Sequence, residues 1–203
     1  AHSTHAEDVS ADPRPVVRLV PRGAEIQATV LVRPLGPEGP ALSPGQGAAV
    51  VVARVGDRLV RGRRSMDDER QAVVALYRAA PTLGLLEVGE AMGDDALEAL
   101  HELMAAGAQL EWPEGEVLRM VQAKSGGFSA TVKDVRDWFA VSGTLRIDES
   151  LVLKLHDVID KLQKSPTRFI RLDDGRILAL TDRLRSQLDT LARVSRKTKA
   201  GLE

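Results

Sequence analysis

The chain has 203 residues, 43% of them hydrophobic and 28% charged, with a formal net charge of -1, which is enough length and apolar content for one or two domains with cores of their own. No apolar run approaches the roughly 18 residues that span a bilayer, and no charged-then-apolar leader opens the chain, so a cytoplasmic protein without a membrane partner is expected. Cysteine is absent, which removes disulfides, thiolate zinc sites and cysteine nucleophiles together.

Aromatic residues make up 3% of the chain, so the core must be built from Val, Leu, Ile and Ala. The near-zero net charge excludes a whole-chain electrostatic footprint for nucleic acid. Carboxylates outnumber cations in residues 1–110, and cations outnumber carboxylates in residues 111–203, a tilt toward a basic second half. The start without Met and the Ala200-Gly201-Leu202-Glu203 end lead us to expect a fragment of a longer protein.

Residues 1–14 mix Ala, His, Glu, Asp, Ser and Pro without periodicity and predict a disordered lead-in. His2 and His5 lack the third ligand that a metal site needs. The β-branched runs Val16–Val20 and Ile26–Val32, separated by Pro21-Arg22-Gly23-Ala24, predict an antiparallel pair. The segment Pro34–Gly47 holds four prolines and four glycines and predicts a long surface loop. Its Gly45-Gln46-Gly47 end is not a phosphate loop, since no Gly-Lys-Ser/Thr follows. Val50–Ala53 and Arg58–Val60, split by Gly56-Asp57, predict a second hairpin.

Ser65 before Asp67, Asp68 and Glu69 predicts a helix that ends before Pro81, with the three carboxylates favouring the positive helix end. Asp94-Asp95 repeats the device, and Leu97, Leu100, Leu103 and Met104 predict one apolar face ending at Gly107. His101 on this helix is expected to be an ordinary histidine. Short strands are then predicted over Ala108–Trp112, Val117–Val121 and Phe128–Val132. A hairpin is predicted from Trp138–Val141 through Ser142-Gly143 to Thr144–Ile147, giving a meandering antiparallel sheet. Trp112, Trp138 and Phe139 are expected to pack under that sheet rather than to stack on bases, and Asp137 to sit in a turn.

From Ser150, the stripe Leu151, Val152, Leu155, Val158, Ile159 and Leu162 predicts a helix ended by Pro166. Phe169–Leu180 predicts a hairpin around Asp173-Asp174-Gly175. Thr181 or Asp182 then caps a helix carrying Leu184, Leu188 and Leu191. The fold class predicted is α+β, with short strands, hairpins and about four amphipathic helices. The expected divisions are a lead-in over 1–14, an α+β region over 15–107, an α+β module over 108–194 and a basic linker over 195–203. Candidate nucleic-acid contacts are Arg168, Arg171, Arg176, Arg183 and Arg185, joined by Arg196, Lys197 and Lys199 of the tail.

The order of Asp137-Trp138-Phe139, the leucine-rich stretch Leu151 to Leu162, Phe169-Ile170-Arg171-Leu172, Asp174-Gly175-Arg176 and the stretch Leu184 to Leu191 resembles the region upstream of the ATPase motor in bacterial Swi/Snf-type helicases. Leu110-Glu111-Trp112-Pro113-Glu114-Gly115 fits the same pattern, as do Arg33-Pro34-Leu35-Gly36 and Pro44-Gly45-Gln46-Gly47. The resemblance covers the chain from about Val16 to about Val194. It implies an accessory region that precedes a two-lobed, ATP-driven DNA translocase. Such a region docks on or regulates the motor, and duplex DNA is a further candidate partner.

ATP and magnesium would belong to that downstream motor, and this stretch carries no cofactor, metal or catalytic residue of its own. No Gly-x-x-x-x-Gly-Lys-[Ser/Thr], His-Glu-x-x-His or Gly-x-Ser-x-Gly occurs in it. The alternative reading is a stand-alone DNA- or protein-binding module. A small enzyme is disfavoured, because no nucleophile, base and orienting group are signalled together.

Overall fold

Alternation of β-branched residues over Pro15–Arg22 (β2) and Glu25–Val32 (β3) produces the longest hairpin of the first half, in register from Pro15 opposite Val32 to Arg22 opposite Glu25. The computed structural model describes residues 5–22, 25–89, 93–115, 117–123, 128–135, 138–147, 151–165 and 167–199, with the backbone alone for 128, 130–135, 138–142 and 194–199. Helices and strands in small separate sheets make the protein α+β. No helix among the described residues is long and apolar enough to cross a membrane.

The chain divides into two compact units, 1–117 and 118–203. In the first unit, Gln109–Glu111 (β6) adds to β2 in parallel, giving the order β3-β2-β6. The strand therefore belongs with the first unit, whereas sequence reasoning places it at the start of the second. A second sheet contains Glu7–Ser10 (β1), Val50–Val55 (β4) and Arg58–Arg63 (β5) in the order β1-β5-β4, with β1 parallel to β5. Part of the expected disordered lead-in is thus a strand. Asp8 and Glu7 reach Arg61 and Arg58 of β5, and an edge strand fixed by such exposed pairs leaves no apolar periodicity to read.

Helix α1 (Met66–Ala79) starts where predicted, with the Ser65 side chain accepting from the Asp68 N–H. It is followed by a short helix α2 (Leu83–Val88), which the sequence reading lacks, and by α3 (Asp94–Ala105). The main-chain N–H and hydroxyl of Thr82 bond the Glu102 carboxylate at 2.9 and 3.0 Å, so the start of α2 is capped from α3 rather than by its own sequence. On α3 the buried face is Ala96, Ala99, Leu100 and Leu103, while Met104 points outward at 44% exposure. Small alanines, not a second leucine row, let this helix approach its neighbours.

In the second unit, Phe128–Val135 (β8), Trp138–Arg146 (β9) and Val152–Lys154 (β10) form an antiparallel meander. Strand β9 runs straight through Ser142-Gly143, where a turn is predicted; the pairing is with β8 instead. Trp138 and Phe139 open β9, and Asp137 lies outside the described residues. Met120–Gln122 (β7) pairs in parallel with Ile177–Ala179 (β12), which is antiparallel to Phe169–Arg171 (β11). With β1·β5 and β2·β6, this makes three parallel pairings among the described residues, where short antiparallel strands and hairpins are predicted.

The helix predicted from Ser150 begins only at Leu155 (α4, Leu155–Lys164), because Val152–Lys154 pairs with Thr144–Arg146. Its stripe Leu155, Val158, Ile159 and Leu162 is buried as expected. Pro166 lies outside the described residues. Helix α5 (Asp182–Lys199) is capped by the Thr181 hydroxyl, which accepts from Leu184 N at 3.3 Å. It extends into the predicted basic linker, placing the backbone of 195–199 in its last turns. Leu178, Leu184 and Leu188 at 0% exposure centre the core of this unit, each worth roughly 2 kcal/mol of apolar burial.

Candidate functional site

The arginines nominated from sequence cluster around the β11–β12 hairpin and the start of α5. The hairpin turn is closed by Leu172 N–H donating to Arg176 O at 2.8 Å and Gly175 N–H donating to Leu172 O at 3.0 Å. Gly175 sits at φ +84°, in the left-handed region where a side chain is strained.

This geometry sorts the cations into two groups. Arg176 folds back on Asp174, with main-chain and guanidinium bonds at 3.0 and 2.8 Å. Its guanidinium holds the Asp174 carboxyl below the usual carboxylate range. Arg168 lies over the Phe169 ring, 5.4 Å from its centroid, and 4.0 Å from Asp182. Arg185 is 3.7 Å from Asp189, one turn on. Arg171 on β11 and Arg183 on α5 are instead exposed, with no ion-pair partner among the described residues. For Arg196, Lys197 and Lys199, only the helical backbone is described.

In the first unit two ionic networks tie separate elements together. Sequence reasoning assigns Glu69 to the dipole of α1 together with Asp67 and Asp68, but its side chain is 1% exposed and is gripped by Arg64, also 1% exposed. Arg64 donates to both Glu69 oxygens at 2.8 and 2.6 Å, to Gln46 O at 2.8 Å and to Ser43 O at 2.9 Å. Gly45 N–H donates to Glu69 at 2.7 Å. Burial pushes the Glu69 carboxyl up, but Arg64, the Gly45 N–H and Arg70 together outweigh it, so the group lies below its ordinary value.

The Pro/Gly-rich loop is thereby pinned to a hairpin and a helix through one buried ion pair. A second network sets Glu111 of β6 against Arg33 and Arg18, with Arg18 at 3.2 Å, and Arg33 above all lowers the Glu111 carboxyl. Tyr77 donates to Glu87, and burial followed by that carboxylate raises the phenol.

Spacing in sequence gives no sign that Arg64 and Glu69 bond each other, because at five residues apart one follows the end of β5 and the other lies on α1. Among the described residues no group of three metal-ligating side chains assembles. Comparison with protein-family models, curated proteins and solved structures finds no match to this chain.

Proposed function

We propose that this chain is the non-catalytic accessory region of a Swi/Snf-type ATP-dependent DNA translocase. In this reading it docks on or regulates the motor, while its 118–203 unit offers Arg171 and Arg183 to duplex DNA. The observation that carries the reading is the β11–β12 hairpin between α4 and α5, where Phe169-Ile170-Arg171-Leu172, Asp174-Gly175-Arg176 and the Leu184 to Leu191 stretch lie together in the 118–203 unit and Arg171 and Arg183 have no ion-pair partner among the described residues. Two such contacts amount to weak, salt-sensitive phosphate binding rather than sequence readout.

The alternative, a stand-alone DNA- or protein-binding module, shares the binding surface and lacks the motor. Arg171→Ala with Arg183→Ala, assayed by fluorescence anisotropy on a duplex at low salt, tests the DNA contact. The expected result is a several-fold weaker affinity and a shallower dependence on salt; unchanged binding removes the two arginines from the interface. The native reading frame beyond Glu203 tests the motor, since the proposal requires a Gly-Lys-Ser/Thr loop followed by an acidic motif.

A further inference from the structure

We propose that the open edge of β4 takes an extended acidic peptide as an added strand. Arg64 N–H donates to Ala49 O at 2.8 Å. With the antiparallel register Val50 opposite Arg63 through Val55 opposite Arg58, this bond makes Val51, Ala53 and Val55 the residues hydrogen-bonded to β5. The N–H and C=O groups of Val50, Val52 and Arg54 therefore point away from β5. In the sheet order β1-β5-β4, no described strand pairs with that side. Three outward residues supply up to six main-chain hydrogen bonds, the basis of strand addition.

Two further features select the occupant. Residues opposite one another in the register share a face, so Val50, Val52 and Arg54 stand beside Arg63, Arg61 and Leu59. Val50 is 45% and Val52 53% exposed. Arg61 is neutralised by Asp8 at 2.7 Å, whereas Arg54 and Arg63 are exposed with no ion-pair partner among the described residues. Asp57 lies beyond the strand end, in the turn.

An added strand with an apolar residue opposite Val52 and a carboxylate two positions along, opposite Arg54, matches this face in both respects. Its intervening side chains turn to the other face, and a groove of about 480 Å³ lined by Leu42, Gly47, Val50, Val51 and Val52 runs along β4 and the loop. Self-pairing of two copies about Val52 is disfavoured. It would set Arg54 of one copy in the row of Val50 and Arg63 of the other, with no carboxylate between them. Nucleic acid would use the arginines but leave the main-chain groups unanswered.

The test uses the whole chain and a labelled peptide of the repeat Val-Thr-Glu-Thr, which sets Val and Glu in turn on one face (the Val/Glu peptide), with three controls: its Val/Lys counterpart, a version N-methylated at alternate positions, and a DNA duplex. Amide exchange is followed by NMR. In the free chain, the amides of Val50, Val52 and Arg54 should exchange quickly while those of Val51 and Ala53 are protected. The Val/Glu peptide should then protect the first three.

Arg54→Glu with Arg63→Glu should weaken peptide binding at least about tenfold. Val52→Pro, a substitution edge strands accept, should do the same by removing one outward N–H. Protection of Val50, Val52 and Arg54 already present in the free chain would overturn the proposal. So would equal binding of the N-methylated or Val/Lys peptide, a concentration-dependent dimer lost in Val52→Pro, or a footprint on β4 from DNA rather than from peptide.

Discussion

Glu69→Ala probes the tie between the Pro/Gly-rich loop and α1 at its centre. The substitution deletes two charge-assisted bonds from Arg64, at 2.8 and 2.6 Å, and the acceptor for Gly45 N–H at 2.7 Å. Arg64 keeps the carbonyls of Gln46 and Ser43, so its charge is partly solvated by the protein but no longer balanced. Breaking a fully buried pair by removing one partner costs about 3–5 kcal/mol, and the surviving carbonyl bonds place this case at about 3 kcal/mol.

Glu69→Gln keeps one acceptor oxygen, which can still serve Arg64 Nη2 and Gly45 N–H, while its NH2 faces Arg64 Nε; it should cost less than Glu69→Ala but remain clearly destabilising. Arg64→Met with Glu69→Leu should cost clearly less than the two single changes added together. Urea denaturation gives the total loss, and hydrogen exchange by peptide locates it. Residues 1–117 should lose protection, with residues 118–203 unchanged. A loss below about 1 kcal/mol for Glu69→Ala, or an equal loss in both units, would refute the assignment of this pair as the loop's anchor.

The same carboxyl sets an acid limit. Because Glu69 and Glu111 lie below their ordinary value of 4.5 when folded, their stabilisation is complete above that pH and fades as pH falls through the lowered folded values. Urea midpoints should therefore hold steady down to about pH 4.5 and drop below it, and Glu69→Gln should flatten part of that slope. Gly45 sits at φ +63°, and a Cβ there would lie 2.5 Å from Arg70 Cγ; Gly45→Ala should cost about 1–2 kcal/mol by thermal melting. Leu178, fully buried in the second unit, should lose about 2–5 kcal/mol as Leu178→Ala, with exchange protection falling in residues 118–203 alone.

Elements with a local cause were legible in the sequence. The β2–β3 and β4–β5 hairpins, the Ser65 cap of α1 and the stripe of α4 each rest on residues close in the chain. Features decided by distant partners were not. Strand β1 exists because β5 offers it an edge, Val152–Lys154 leaves the helical pattern because β9 competes for it, and α2 is capped by Glu102. The arginine set was legible by composition, but its division into paired and unpaired members depends on where Asp174, Asp182 and Asp189 fall.

The parallel pairing of β6 with β2 carries a consequence for how the chain acquires its structure. The Arg18–Glu111 contact that accompanies it spans 93 residues, and closing so long a loop requires entropy to be surrendered before any contact repays it. During synthesis the β2–β3 hairpin emerges early with one edge vacant, and that edge waits until Glu111 has left the ribosome. Throughout that interval the vacant edge of β2 is open to other strands, and the first unit is at its most vulnerable to mispairing.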